Sequence, residues 1–289
     1  MQIIVNGIVA GLTIALMALA FTVVYLPTRV FFVALGGLYT VIPFIAWSCL
    51  RAGLPWPVVI GTCMTTGIAL SIACELINHS GLTRRGASTT AHLISSLGFY
   101  IILVQIVALI WGNESHVLRT GVDTLLQIGE VTFTRSQIVA GLVAILLGGG
   151  FFIWLRSSDL GLRFRALADN PVELALRGHN TSLLRIIAFG LAGGFVSAAT
   201  LTVAFDIGFD TNGGLSALLL AVVAMILGGN RSFLGPAIAG IALGLVRAGT
   251  VWYISARTQD AVTFSIAALF LVFFPEGISG RKGRLEADA

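Results

Sequence analysis

Charge is scarce in this sequence. Only 10% of its 289 residues are Asp, Glu, Lys or Arg, against about 25% in a soluble domain. That scarcity, with a hydrophobic share of 57% and a mean hydropathy of +0.97, excludes an ordinary soluble fold and indicates an integral membrane protein. Cysteine is sparse too. Cys49, Cys63 and Cys74 lie in or beside apolar runs and fit no metal-ligand spacing, so they read as small buried hydrophobes. Catalytic motifs are missing: there is no HExxH, no GxSxG, no GxxxxGK[ST] and no paired intramembrane Asp. The glycines of LLGGGFF and ILGGN lack the Lys and the strand that phosphate binding needs. We therefore expect no catalytic residue, no metal set and no cofactor, and no nucleotide hydrolysis by this chain itself. The formal charge of +4 does not indicate nucleic-acid binding, because the basic residues flank apolar spans and report orientation instead.

What is present is a series of long apolar runs, near 3–25, 30–50, 56–77, 91–112, 136–155, 184–205, 214–229, 233–253 and 259–275. At about 1.5 Å per residue each except 214–229 is long enough for roughly 30 Å of hydrocarbon. The expected fold class is all-α: one polytopic membrane helix bundle over residues 1–289, with about 8–10 spans, broken or re-entrant segments and a possible inverted repeat. The start, MQIIVNGIVAGL, lacks a basic n-region and a small-residue cleavage site, so a retained first span is expected. No large soluble domain stands at either end, so an energy source or soluble receptor has to come from other chains. Gly is abundant, at 34 residues, as close helix contacts and helix breaks require. Asn6, Gly7, Gly11, Thr13 and Thr22 of the first span read as such contact positions.

The loops set an orientation. Residues 78–90 (Arg84, Arg85), 156–185, Arg231 and the tail (Arg281, Lys282, Arg284) are basic. They alternate with 113–135, where Glu114, Asp123 and Glu130 stand against Arg119 and Arg135, and with 206–212, which holds Asp206 and Asp210. Basic loops belong in the cytoplasm. The N-terminus is then outside and the C-terminus inside, with Arg51 as an outer exception. Trp47, Trp56, Trp111, Trp252 and Tyr253 fall near span ends, as an aromatic belt requires.

Two segments are candidates for a translocation path. Pro27, Gly36, Gly37 and Pro43 punctuate LPTRVFFVALGGLYTVIPFIAW at membrane depth, where irregular backbone survives only against protein or a water-filled cavity. Gly213, Gly214, Leu215 and Ser216 echo Gly36, Gly37, Leu38 and Tyr39. The echo follows the first and sixth spans, which run in opposite directions, as an inverted repeat with the path at its interface would. A three-residue identity in so Gly-rich a chain is also what chance supplies, and both readings stand. Ser95 and Ser96, followed by Gly98, suit a path or simply bond a carbonyl one turn back. His92 reads as an interfacial imidazole. Glu75 reads as an interfacial acid paired with Arg84 or Arg85. Arg247, toward the outer end of its span, snorkels or contacts another subunit.

The polar island RSSDLGLRFRALADNPVELALRGHNTSLLR, residues 156–185, holds Arg156, Arg163, Arg165, Arg177 and Arg185 against Asp159, Asp169 and Glu173. Asn170 suits an N-cap, Pro171 the first helical position, Glu173 a capping box and Gly178 the C-terminal stop. The resulting helix is about two turns long, too short to be stable alone. Its Val172, Leu174, Ala175 and Leu176 need a surface: the bundle itself, the headgroups, or a soluble subunit.

These patterns together resemble the permease subunits of branched-chain amino-acid ABC importers, the LivH-type group that includes urea and amide permeases. DLGLRFRALADNPVELALRG resembles the family's coupling segment through Gly161, Arg165, Ala166, Asn170, Pro171, Ala175 and Gly178. LGGNRSFLGPAIAGIALG is similar to its glycine run through Gly228, Gly229, Gly235, Gly240 and Gly244. FFPEGISG resembles its C-terminal motif through Pro275, Gly277 and Gly280, and ISSLGFYIILVQIVALIWG resembles its Thr-x-Gly span. The resemblance implies a bacterial inner-membrane permease that moves a small organic solute. Its partners would be cytoplasmic ABC ATPases, a second homologous permease and a periplasmic solute-binding protein docking on 113–135 and 206–212. The coupling residues it implies are those seven with Glu173 and Leu176. The path would pass Gly36, Gly37, Tyr39, Ser95, Ser96, Gly213, Gly214 and Ser216. The family's polar Asn-Phe-Ala-His-Gly-Glu/Asp stretch is here Phe32, Val33, Ala34, Leu35, Gly36 and Gly37, which suggests an apolar or aromatic carboxylic cargo in place of a branched-chain amino acid. The alternative class is an ion-coupled secondary transporter or channel, for which Glu75 is essentially the only intramembrane carboxylate. An integral membrane enzyme lacks a nucleophile–base pair.

Overall fold

The computed structural model describes residues 1–119, 121, 125–128, 131–229 and 232–274. Asp123, Glu130, Arg231, the C-terminal motif at Pro275, Gly277 and Gly280, and the tail residues Arg281, Lys282 and Arg284 lie outside the described residues. In chain order the helices are α1 (Gln2–Thr28), α2 (Ala34–Arg51), α3 (Trp56–Cys74), α4 (Ser80–Arg84), α5 (Thr89–Trp111), α6 (Arg135–Ser157), α7 (Asp159–Asp169), α8 (Pro171–Leu176), α9 (Thr181–Asp206), α10 (Gly213–Gly228), α11 (Leu234–Tyr253) and α12 (Gln259–Phe273). A π turn over Glu75–His79 joins α3 to α4. An antiparallel hairpin, β1 (Leu125–Ile128) and β2 (Val131–Thr134), precedes α6. α1, α2, α3, α5, α6, α9, α10, α11 and α12 occupy the nine apolar runs of the sequence. Among the described residues, seven helices are long and apolar enough to cross a membrane, and α10 is a shorter apolar one. The third crossing extends beyond its expected end and runs unbroken from Trp56 to Arg84.

The helices alternate between two ends of the bundle. At one end Gln2 of α1 donates to the Thr132 carbonyl (2.7 Å), Ser136 of α6 donates to Asp206 of α9 (2.6 Å), and Trp111 of α5 donates to Ser48 of α2 (2.7 Å). The other end gathers the π turn, the close of α6, α7, α8 and the start of α9. α1 is the central post: Leu16 to Val24 are all buried, and α6, α9, α10 and α11 pack around it. Glycine allows this closeness. A Cβ on Gly11 would stand 2.7 Å from Ile241 Cα, and one on Gly240 would stand 2.7 Å from Ala15 Cα. Backbones that touch this way gain dispersion contact that apolar side chains in lipid cannot otherwise supply.

The internal repeat is visible in the packing. α1 and α9 run in opposite directions, as Gln2, Ser136 and Asp206 sharing one end requires. Exchanging α1, α2 and α3 for α9, α10 and α11 maps the α1–α11 contact onto the α9–α3 contact. That second contact is also glycine-made: a Cβ on Gly193 would stand 2.9 Å from Ile68 Cα. Gly67 and Gly244, its counterparts in α3 and α11, stand as far apart in sequence as Gly36 and Gly213.

The expected break lies before α2, not within it. α1 ends at Arg29, held in the left-handed region (φ 54°), and residues 30–33 cross to α2 with Val30, Phe32 and Val33 buried. Irregular backbone at this depth is therefore sealed by protein. α2 continues through Pro43 without interruption. Proline removes the donor that would serve the carbonyl four residues earlier. That carbonyl, Tyr39, accepts instead from Thr200 Oγ1 of α9 at 2.8 Å. At the close of α2 Arg51 is accounted for: its guanidinium lies 4.2 Å from the Trp47 ring centre, and His116 stacks on the same indole at 4.4 Å.

Candidate functional site

Two regions are candidates for function: the crossing of α2 with α10, and the face built by α7 and α8 at one end of the bundle. At the crossing, Gly36 and Gly214 meet backbone to backbone, and a Cβ on Gly36 would stand 2.9 Å from the Gly214 carbonyl oxygen. The two halves of the Gly-Gly-Leu echo thus touch each other. Gly37 faces α5, where an added Cβ would stand 3.0 Å from Leu103 Cβ and 3.4 Å from Tyr100 Cα. Ser96 of α5 accepts from the Ala34 N–H at 3.0 Å and so supports the first turn of α2. Tyr39 is half-buried, with its carbonyl on Thr200. The structure therefore brings Gly36, Gly37, Tyr39, Ser96 and Gly214 around one short stretch of α2.

The remaining candidate path residues sit apart from it. Ser95 donates to Asn78 Oδ1. Gly213 donates its N–H to Asp210 Oδ1 (2.6 Å), an Asx turn that starts α10 and also takes the Asn212 N–H at 2.9 Å. Ser216 is exposed on the open face of α10. Phe32, Val33, Ala34 and Leu35, which replace the polar stretch of the family, are buried core in this chain. Phe32 meets Phe189 edge to face at 4.8 Å.

At the end that gathers α7 and α8 the helix starts are capped as their sequence dictates. Ser158 accepts from the Gly161 N–H (2.9 Å), and Asn170 Oδ1 accepts from the N–H groups of Val172 and Glu173, each at 3.1 Å. Pro171 opens α8, and Gly178 stops it at φ +81°. Glu173 departs from the expected capping box: it takes Arg177, one turn on, at 2.6 Å. α7 lies tight against the close of α6, because a Cβ on Gly161 would stand 2.7 Å from Leu155 Cα. Its Phe164 is buried beside Trp154 and Phe233, ring centres 5.9 and 5.7 Å away, which links α7 to the start of α11. α8 is held by one side chain. Leu174 (5% exposed) inserts between Leu167 of α7 and Leu184 of α9, with Ala166 against the cluster. Leu176 (83% exposed) and Val172 project outward with Arg165, Asn170, Pro171 and Ala175.

Several polar partners are not visible in the sequence. Glu75 pairs with Arg185, 2.7 Å to Nε and 3.2 Å to Nη2, not with Arg84 or Arg85. His92 is buried, not solvated, with its Nδ1 3.1 Å from that of buried His79. Arg247 pairs with Asp260 of α12 at 2.6 Å. A feature that could have flagged the first two is the i, i+3, i+4 spacing of the polar Glu75, Asn78 and His79 around apolar Leu76 and Ile77, which places all three on one helix face.

Apolar helices alternating between two ends, backbone contacts through glycine and a pair of short helices with basic residues at one end define a polytopic membrane bundle of the permease type. The family model described as the branched-chain amino acid transport system permease component matches residues 3–273, and the chain belongs to that family. It is 28% identical to the high-affinity branched-chain amino acid transport system permease protein BraD of Pseudomonas aeruginosa, over 97% of this chain and 96% of that one. It is 26% identical to the corresponding permease protein LivH of Escherichia coli, over 96% and 94%. A probable branched-chain amino acid transport permease protein LivH of Methanocaldococcus jannaschii is 23% identical, over 96% and 92%. Among solved structures, PsaBC from Streptococcus pneumoniae in complex with Fab shares the fold, with a TM-score of 0.54, 9% identity and coverage of 92% and 90%. The BraD and LivH relatives are named as permease proteins of branched-chain amino acid transport systems.

Proposed function

We propose that this chain is the membrane-spanning subunit of an ATP-driven ABC importer for a small organic solute in a bacterial inner membrane, with the N-terminus outside and the C-terminus in the cytoplasm. The observation that carries the reading is α8. A helix this short cannot hold itself, yet it is fixed by Leu174 while Leu176, Val172 and Arg165 face outward. Such a helix is built to be pushed. A cytoplasmic ATPase seated on Gly161–Gly178 would move α8 with α7, and Phe164 would carry that motion to Phe233 and α11.

The path runs past the α2–α10 crossing, along Gly36, Gly37, Tyr39, Gly214 and the exposed Ser216, with Ser95, Ser96 and Gly213 holding the helix starts that border it. A second, homologous permease covers the open face of α5 and α10. A periplasmic solute-binding protein docks on the outer end, around 113–119 and 206–212. The cargo we infer has fewer polar groups than a branched-chain amino acid, such as an aromatic or carboxylic compound; the support is that Gly36, Gly37 and Gly214 offer no polar side chain at the crossing. Pairing of Glu75 with Arg185 leaves no free carboxylate there for ion coupling, which favours the ATP-driven reading over a secondary transporter. The test is copurification in mild detergent followed by uptake of Leu, urea and aromatic acids in vesicles. An ATPase and a second permease should accompany the chain, and uptake driven by an ion gradient without ATP would refute the proposal.

A further inference from the structure

The π turn turns Glu75, Asn78 and His79 inward together, and they form a buried polar node that the transport reading does not use. Glu75 binds Arg185 at the start of α9. Asn78 accepts from Ser95 of α5, and the adjacent Ser96 holds the Ala34 N–H of α2. His79 Nδ1 and His92 Nδ1 are 3.1 Å apart, with the two rings only 23° from parallel planes. Phe32 and Phe189 close over the His79 ring, their centres 5.9 and 5.6 Å away. Asn78 Nδ2 and His79 Nε2 are buried without a hydrogen-bond partner. The node thus ties together the π turn, α5, the start of α2 and the start of α9, and within it the histidine pair joins the π turn to α5.

Two facing imidazole nitrogens at this distance hold one proton: one ring donates and the other accepts. One further proton can sit on an unprotonated Nε2 and leave that bond in place, whereas charging both rings would set N–H against N–H and place two positive rings side by side. Nothing in the node offsets that charge. Its acid, Glu75, is already neutralised by Arg185, Ser95 and Ser96 are engaged, and Phe32 and Phe189 offer no solvation. Arg84, which ends α4, and Arg85 beyond it are exposed and supply no negative charge. The rings must therefore separate before both can be charged. A state that binds one more proton gains population as pH falls, and histidine is the side chain whose charge changes in the physiological range. We propose that the His79–His92 pair is a proton-operated latch, closed while its rings share the Nδ1 proton and opened when both rings become charged, which releases α5, and with it the start of α2, from the π turn. Its effect on transport, an inner face that disengages from the path in acid, rests on the function proposed above. The latch itself does not.

The test is hydrogen exchange on the full chain in lipid nanodiscs, at about pH 7.5 and about pH 5.5, corrected for intrinsic rates. Segments 29–36, 75–84 and 89–96 should lose protection in acid by up to about tenfold per pH unit for each proton that opening takes up. His92→Gln should abolish the step, whereas His116→Gln and His179→Gln should each keep it. Equal protection at both pH values, or a step that survives His92→Gln, overturns the latch. Should His92→Gln fail to insert, nitrogen NMR of the imidazoles decides. One hydrogen-bonded Nδ1 proton shared by two coupled rings is expected, and two independently titrating, solvated rings refute the idea.

Discussion

Thr200 donates its hydroxyl to the Tyr39 carbonyl, 2.8 Å away, and this is the carbonyl that Pro43 deprives of its own helical donor. The bond explains how α2 carries a proline and stays continuous. Thr200→Val should cost about 1–3 kcal/mol, since it leaves a buried acceptor unsatisfied. Thr200→Ser should retain most of the stability. Pro43→Ala should relieve the loss in the Thr200→Val background, because the new N–H serves Tyr39 directly. A double-mutant cycle of thermal unfolding in detergent measures this coupling, and strict additivity of the two substitutions would deny it.

Glycine positions should divide by what faces them. Gly214→Ala forces a methyl against the Gly36 backbone and should cost about 1–3 kcal/mol by overpacking. Gly98→Ala meets open space on α5 and should be neutral or stabilising, by up to about 1 kcal/mol of helix propensity. Melting temperatures of the two variants in the same detergent provide the comparison.

The two interhelical ion pairs should behave differently. Glu75 and Arg185 are 3% and 17% exposed, so Arg185→Gln leaves a buried carboxylate alone and should cost about 3–5 kcal/mol, while the double variant Glu75→Gln with Arg185→Gln should cost much less. Asp260 is 51% exposed, and Asp260→Asn should cost about 1 kcal/mol or less. Thermal stability of these three variants against the unsubstituted chain checks the ranking.

The helices themselves are legible because lipid demands long apolar runs, and caps announce themselves locally: Asn170, Pro171 and Gly178 do in the structure what their types and spacing indicate. The Gly36–Gly214 contact is half legible. The echo marks both segments, but not that they touch. His92 is misread from sequence because its partner, His79, lies in a stretch that looks like the beginning of a basic loop. Only a π turn carries the helix on through Arg84. Sequence proximity pairs Glu75 with the nearest arginines, whereas the fold brings it Arg185 from another crossing. Local chemistry sets caps and turns, but a partner more than a hundred residues away depends on how helices are arranged.

The central claim is that α8 transmits force, and the side chains around it separate anchoring from contact. Leu174→Ala should loosen the seat on Leu167 and Leu184 and expose 170–178 to protease. Leu176→Asp and Ala175→Glu alter outward-facing positions and should leave insertion and thermal stability unchanged.

Uptake and ATP hydrolysis measured side by side, in vesicles holding the complete transporter with Leu176→Asp or Ala175→Glu, test the account most directly. It predicts that solute uptake is lost or falls at least about tenfold, about 1.4 kcal/mol of lost coupling, while the protein remains folded in the membrane. Uptake at the unsubstituted rate in both variants would contradict it.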